Sequence, residues 1–223
     1  MSWSEMKSAV NSTVGTGAFT PLDKLIKESL DKYFYENLVM CSMIFLEDGE
    51  EKLLVVPPGT EKIEDSEYSR KKYAMVVLPS SVKIIGDAAF WGTPVRTINL
   101  PDGLTSIGSM AFKGCDLRYG INIPEGIKII ERETFQDSKL RSIELPNSVE
   151  EIGEWAFVEC PLLHSVKLGK NIKKINLRAF RHFDIDSDNP TQVQDVYYAG
   201  TEEEWSRVEG NNAIGGATIH YNS

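Results

Sequence analysis

No stretch of this 223-residue chain approaches the ~18 consecutive apolar residues of a membrane-crossing helix, so no membrane span is expected. The N-terminus, Met1-Ser-Trp-Ser-Glu-Met6, lacks a basic region followed by an apolar core, so no standard secretory signal is expected either. That reading makes the chain cytoplasmic or released with an assembly. Cysteine is scarce. Cys41, Cys115 and Cys160 are odd in number, widely spaced and free of any C-x-x-C, which suggests neither a disulfide framework nor a zinc site. Basic charge is outnumbered, with 24 Lys and Arg against 33 Asp and Glu, a formal net charge of -9. Nucleic-acid backbones are bound by clustered Lys and Arg, so nucleic acid is not an expected partner.

Catalytic and metal motifs are missing too. The histidines, His164, His182 and His220, form no H-E-x-x-H or paired metal spacing. Gly15-Thr-Gly17 lacks the following glycine and the preceding strand of a nucleotide loop, and reads as a linker. No Ser, His and Asp have a context that would join them. The expectation is therefore a protein that is not an enzyme and uses no cofactor. Asp184-Ile-Asp-Ser-Asp-Asn189 does resemble the start of a calcium loop, with Asp184, Asp186 and Asp188 at positions 1, 3 and 5 and Asp195 at position 12. Asn189 replaces the expected glycine and Asp195 the bidentate Glu. An acidic surface loop is the expected reading, with calcium as the alternative.

What the chain does contain is a repeat. Pro79, Pro101, Pro124 and Pro146 are spaced by 22, 23 and 22 residues. Phe90, Phe112, Phe135, Phe157 and Phe180 follow in phase, spaced by 22, 23, 22 and 23. Apolar pairs lie between them, such as Val82 with Ile85 and Leu104 with Ile107. Ala89, Ala111, Ala156 and Ala179 precede a Phe, and Thr134 is the exception. Tyr68, 22 residues before Phe90, marks a fainter sixth unit.

Each unit predicts a short strand, a turn and an irregular return. Val76–Leu78, Ile98–Leu100, Ile121–Ile123, Ile143–Leu145 and Val166–Leu168 each set two apolar residues around a free one, the alternation of a half-buried strand. Gly86, Gly108 and Gly153 follow the second apolar pair, where a positive φ is expected. A single unit cannot bury its apolar face, but stacked units make a continuous core. The fold expected is an α/β repeat solenoid, a right-handed leucine-rich-repeat coil of about six units of 22–23 residues, with a helical N-terminal cap and a mixed C-terminal cap. It divides the chain into residues 1–40 (cap or attachment segment), 41–182 (repeat array) and 183–223 (C-terminal cap).

The segments L-P-S-S-V-K-I-I-G-D-A-A-F-W-G (78–92), L-P-D-G-L-T-S-I-G-S-M-A-F-K-G-C (100–115) and L-P-N-S-V-E-E-I-G-E-W-A-F-V-E-C (145–160) resemble the BspA-type leucine-rich repeat. The segment 196–205 and the closing Ile219-His-Tyr221 are similar to the ends of such arrays. The resemblance implies a bacterial binding solenoid, commonly placed at the cell surface, whose studied members act as adhesins for proteins such as fibronectin or fibrinogen. It implies no particular ligand.

At the C-terminus, Thr201 with Glu204 forms a capping-box pattern, and Trp205 is expected to pack on the last coil. At the other end, Thr20-Pro21 with Leu22, Leu25, Ile26, Leu30, Tyr33 and Phe34 predicts a helix over 21–36, feeding a strand at Cys41–Leu46. The sequence W-S-E-M-K-S-A-V-N-S-T (3–13) followed by P-L-D-K-L-I (21–26) resembles leaders of prophage-encoded structural proteins. Residues 1–36 are thus a cap, or the attachment element of an assembly and a route to homo-oligomers.

Cys115 and Cys160 share one repeat column two units apart, about 10 Å at ~4.8 Å per strand, beyond disulfide reach; they read as buried filler. Binding is expected on the exposed strand face. Its central column is Val55, Val77, Asn99, Asn122, Glu144 and Lys167, with Thr97, Tyr119, Arg141 and His164 beside it. The partner expected there is a protein or glycan anchored by Tyr119 and Arg141, since aromatic and Arg side chains anchor interfaces. A solvated face without a ligand is the alternative.

Overall fold

The computed structural model describes residues 52–176, 178–180, 193–214 and 216–222. The helix expected over 21–36, the strand at 41–46, the attachment role of 1–36, Cys41, His182, Asp184, Asp186 and Asp188 all lie outside the described residues.

Four of the five period-2 segments lie in strands, and every strand pairing among the described residues is parallel. One ladder consists of β1 (Lys52–Val55), β3 (Tyr73–Val77), β5 (Thr97–Asn99), β8 (Ser142–Leu145), β10 (Ser165–Leu168), β12 (Asp195–Tyr198) and β13 (Thr218–Tyr221). The pairings run β1-β3-β5 and β8-β10-β12-β13, with Glu144 opposite Lys167 and Lys167 opposite Tyr197. The second apolar pair of each unit makes two-residue strands: β2 (Lys62–Ile63), β4 (Ile84–Ile85), β6 (Ser106–Ile107), β7 (Ile129–Ile130), β9 (Glu151–Ile152) and β11 (Lys174–Ile175). These pair as β2-β4-β6 and β7-β9-β11. The described residues therefore form a parallel solenoid. The prolines close the turn between the two strands: the carbonyls of Pro79, Pro101, Pro124 and Pro146 accept from Val82, Leu104, Ile127 and Val149 at 2.9–3.2 Å.

The return side carries the aromatic column. Tyr68, Phe90, Phe112, Phe135, Phe157 and Phe180 stack with centroids 5.0–5.7 Å apart and planes within 17°. The four central rings are at most 2% exposed. Burying such a side chain is worth about 1.5–3 kcal/mol, so each coil contributes one large increment to a shared core. The alanines before the rings are fully buried, and Thr134 fits among them by donating to the Glu131 carbonyl at 2.8 Å.

The glycine column corrects an expectation. Gly86, Gly108 and Gly153 do not have positive φ. They are glycine for want of space, because a Cβ would stand 2.7–2.9 Å from the backbone of the preceding coil. The left-handed positions come two and six residues later. Ser66, Ala88, Met110, Glu133 and Trp155 form one such column, and Arg70, Gly92, Gly114, Asp137 and Glu159 the other. Residues in both columns aim their N–H at the next coil. Ala88 donates to Ser109 and Gly92 to Lys113, each at 2.8 Å. These bonds offset the ~1–2 kcal/mol cost of the left-handed backbone.

A second correction concerns Ile121–Ile123. The segment points Ile121 and Ile123 inward but forms no strand, so both ladders are interrupted at this coil. The spacing grows to 23 here, and the added residue lies in the turn Leu117–Gly120, closed by a 2.9 Å bond from Gly120 N–H to the Leu117 carbonyl. Gly120 has φ +86°. The turn ends directly before Ile121 and leaves no residue to lead the strand in. The return side stays continuous, with Phe112 N–H on the Thr134 carbonyl at 2.9 Å.

Beyond residue 193 the strands continue in register, as the alternation of Val196-Tyr-Tyr198 predicts. The short helix α1 (Glu202–Ser206) has the complete capping box between Thr201 and Glu204. Trp205 is 6% exposed, its ring 5.2 Å from that of Tyr198.

Candidate functional site

A parallel ladder places equivalent residues of successive coils side by side, so the outward column of the first ladder is the natural place for recognition. Val55 is half-buried, whereas Val77, expected outside, is 5% exposed. Asn99 clasps its neighbour: its Oδ1 accepts from Leu78 N–H and its Nδ2 donates to the Leu78 carbonyl, both at 2.9 Å. Its amide thus continues the ladder at the edge of β5. Asn122 is exposed on the segment that leaves the ladder. Glu144 and Lys167 face each other across β8 and β10 in a 2.9 Å ion pair. Both are largely exposed, and such a pair contributes at most about 1 kcal/mol.

Two further residues extend this column, Tyr197 and His220. Their rings stack at 4.7 Å with planes 12° apart, and His220 Nε2 is 2.8 Å from Asp195 Oδ1. Asp195, considered above as a calcium ligand, is engaged in this pair. Tyr197 and His220 were legible in the sequence, because Val196-Tyr-Tyr198 and Ile219-His-Tyr221 repeat the alternation of Val166-Lys-Leu168.

Beside the centre, the register separates two rows. Thr97 pairs with Met75, and its row continues with Ser142, Ser165, Asp195 and Thr218. Arg141 and His164 belong one residue earlier, at the N-terminal rim of the strands. Backbone bonds fix that row: Arg96 N–H to the Ala74 carbonyl at 2.8 Å, His164 to Arg141 at 3.0 Å, Gln194 to His164 at 2.8 Å and Thr218 to Gln194 at 2.8 Å. In the intervening coil, Arg118 and Tyr119 occupy the turn at this rim. Tyr119 is 51% exposed.

The rim is basic in an acidic chain. Asp116, 8% exposed, accepts from Arg118 through both carboxylate oxygens. Arg96 approaches it at 3.5 Å and Lys139 at 3.9 Å. Three cations thus converge on one carboxylate. Among the described residues no carboxylate pairs with Arg141, which is exposed. The sequence singles out Arg141, but a net charge of -9 gives no sign of the cluster.

The two described thiols offer no reactive centre. Cys115 and Cys160 are free and buried, and burial pushes both up, Cys160 to about 11. The geometry suits recognition through charge and aromatic contact. No helix among the described residues is long and apolar enough to cross a membrane.

Comparison with known proteins agrees with this architecture. Residues 61–187 match the model of the BspA type leucine rich repeat region in 6 copies. Among solved structures, a leucine-rich repeat protein of T. pallidum is 26% identical, with a TM-score of 0.53 over 69% of this chain and 77% of that one. A leucine-rich repeat protein of Bacteroides ovatus shares the fold at 17% identity and TM-score 0.51, over 84% of this chain and 71% of that one. The pneumococcal vaccine antigen PcpA does so at 18% and 0.51, over 82% of this chain and 48% of that one. No curated protein matches the chain.

Proposed function

Because the chain belongs to the family of BspA-type leucine-rich repeat proteins, we propose that it is a non-enzymatic, adhesin-like binding module that engages a protein or glycan partner through the exposed strand face. The observation behind this reading is the ladder itself. It aligns Glu144, Lys167, Tyr197 and His220, with Asn122 exposed on the coil before them and Tyr119, Arg141 and His164 at the rim, while the alternate side chains fill the core. Burial fixes the inner residues; no packing requirement fixes the outer ones, so they are free to encode a partner. The family also points to the bacterial cell surface, a location that surface proteolysis of intact cells would check.

The test is comparative. The full chain and its Tyr119→Ala, Asn122→Ala, Arg141→Ala triple variant are probed against arrays of host glycans and extracellular-matrix proteins. Binding that falls at least tenfold in the triple variant, with an unchanged melting temperature, supports the strand face. Equal binding by both proteins overturns it.

A further inference from the structure

We propose that Asp102-Gly103 is a self-modification site, where the folded chain converts aspartate to isoaspartate. Asn147-Ser148, at the same turn position two coils later, is held inert by its neighbours. The reaction needs no enzyme and no cofactor, only solvent water.

The site is made by the turn that joins β5 to β6. Leu104 N–H donates to the Pro101 carbonyl at 2.9 Å, which sets Asp102 and Gly103 at the two central positions. Both are exposed. Among the described residues nothing pairs with the Asp102 carboxylate and nothing accepts from the Gly103 N–H. The two reacting groups are therefore adjacent, unshielded and free of bonds that must first break. Gly103 has no side chain to obstruct its nitrogen, and glycine reorients its backbone most easily. No other Asp-Gly or Asn-Gly pair occurs among the described residues. Asn147-Ser148 carries related chemistry in the turn Pro146–Val149, closed at 3.1 Å. There both reacting groups are engaged: Asn147 Oδ1 accepts from Lys170 N–H at 3.0 Å, and Ser148 N–H donates to Glu125 Oε2 at 3.1 Å. The Asn147 carbonyl also accepts from Asn171 Nδ2 at 2.9 Å. Reaction there must first give up bonds to the coils on either side.

The steps balance without an external reagent. Gly103 N attacks Cγ of the protonated Asp102 carboxyl. The N–Cγ bond forms, the bond from Cγ to the hydroxyl oxygen breaks, and the hydroxyl leaves as water with the amide proton. The product is a five-membered succinimide. Water then adds to one of its two carbonyls. Opening at Cγ returns aspartate. Opening at the main-chain carbonyl of Asp102 breaks its bond to Gly103 N, frees that carboxylate and leaves the chain running through Cβ and Cγ. This is isoaspartate, with one more backbone atom and the same charge. The extra atom falls inside the turn closed by Leu104 and Pro101. Leu104 is fully buried, and in the next coil Gly126 packs so closely that a Cβ there would stand 2.1 Å from the Leu104 carbonyl oxygen. Contact this tight passes the shift to that coil, so isoaspartate is expected to lower the melting temperature. Gly103 itself is not fixed by space. A Cβ there meets nothing nearer than the Ser80 carbonyl oxygen at 3.6 Å, and its φ is not positive, so alanine fits.

In the experiment the full chain is aged at 37 °C, folded in buffer and unfolded in guanidinium chloride. Asp-N protease, which does not cut before isoaspartate, and peptide mass spectrometry follow both turns over time; the succinimide appears as a peptide lighter by one water. The variants are Gly103→Ala and Asp102→Glu. Isoaspartate at 102 is expected to form in the folded chain within threefold of the unfolded rate, whereas folding slows reaction at 147 at least tenfold. Gly103→Ala should slow reaction at 102 at least tenfold and melt no lower than the parent when fresh, and Asp102→Glu should abolish it. The aged parent should melt lower than the fresh one, and aged Gly103→Ala should not. A folded chain that gains no isoaspartate at 102, or gains it equally fast with Gly103→Ala, overturns the site. Equal rates at 147 in the two states overturn the protection. An aged parent that carries isoaspartate and melts like the fresh one overturns the coupling to the next coil.

Discussion

The thiol of Cys160 donates to the main-chain carbonyl of Phe135, 25 residues upstream, at 3.1 Å. Cys115 does the same to Phe90 at 3.2 Å and Thr93 to Tyr68 at 2.5 Å, each across the same 25 residues. In these three coils the column ties the chain to the carbonyl of the preceding aromatic rung, and in the remaining one Ser138 Oγ lies 3.3 Å from Cys160 Sγ. Its members are Thr, Cys or Ser because all three pair small volume with a donor. Cys160→Ser is expected to leave stability within about 0.5 kcal/mol, whereas Cys160→Val removes the donor and costs about 1 kcal/mol in urea unfolding. Equal values for the two variants would reduce the column to filler. With its thiol raised to about 11 by burial, Cys160 should also resist maleimide in the native protein at pH 8 and react once urea opens the coil.

Phe135 is the middle ring of the aromatic column, 5.7 Å from Phe112 and 5.4 Å from Phe157. Phe135→Ala removes contacts on both sides and leaves a cavity between coils. A loss of about 3–5 kcal/mol is expected. Coils contact only their neighbours, so the damage should be shared: Phe180→Ala, at 4% exposure and with one described ring neighbour, should cost less. Urea midpoints for the two variants check the order, and equal losses would contradict a nearest-neighbour core.

The repeat was legible because packing repeats: a ring that must stack every coil returns every 22 or 23 residues. The turn and strand positions followed for the same reason. Less visible were features set by relations between coils. Gly86 and Gly92 are the same letter, but one lacks room for a Cβ and the other lies at φ +64°. Nothing local distinguishes them. The edge at β5 was hidden too, because Ile121-Asn-Ile123 carries the strand pattern and fails only through the turn before it. On the strand face, the alternation made Glu144 and Lys167 legible and extends to Tyr197 and His220, whereas Val77, in the same column, is buried. The basic rim was not readable from net charge, since the cations converge on Asp116 from three different coils.

The two glycine classes predict different responses to asparagine, which tolerates the left-handed region. At Gly92, alanine should cost about 1 kcal/mol through backbone strain, and asparagine less. A Cβ there meets only the Arg70 Cγ at 3.4 Å. At Gly86, a Cβ would lie 2.3 Å from Asp65 Oδ1 and 2.8 Å from Asp65 N, so alanine and asparagine should both cost more than at Gly92. Thermal melts of the four variants decide the matter; an asparagine rescue at Gly86 would refute the steric reading.

Glu131 stands in the Gly86 column and is only partly covered. Burial raises its carboxyl above the usual range, with the charges of Asp87 and Glu151 acting in the same direction. In the unfolded chain the group titrates near its ordinary value, about 4.3. Between that value and the higher folded one the native state holds the extra proton, so stability falls as pH rises through the window. Glu131→Gln should therefore stabilise the protein at neutral pH and make no difference at pH 3. Solvent screening limits the gain to a few tenths of a kcal/mol. Urea midpoints of the two proteins across pH 3–7 would show it as a difference that opens with rising pH, and a constant offset would exclude this origin.

The interruption of both ladders at one coil has a testable cause. The unit from Phe135 to Phe157 spans 22 residues and keeps its strands, whereas the unit from Phe112 to Phe135 spans 23 and loses one. Extra length alone is not enough, because the unit from Phe157 to Phe180 also spans 23 and keeps β10. There the added residue falls in the turn Cys160–Leu163, closed at 3.1 Å, and His164 remains to lead the strand in. In the broken unit the turn Leu117–Gly120 abuts Ile121. Deletion of Tyr119 restores the shorter spacing and supplies that lead-in residue. It should slow amide hydrogen exchange at Asn122 and Ile123 by at least tenfold and join the two sheets into one. Exchange as fast as in the parent chain would show that the turn is not what excludes this segment from the ladder.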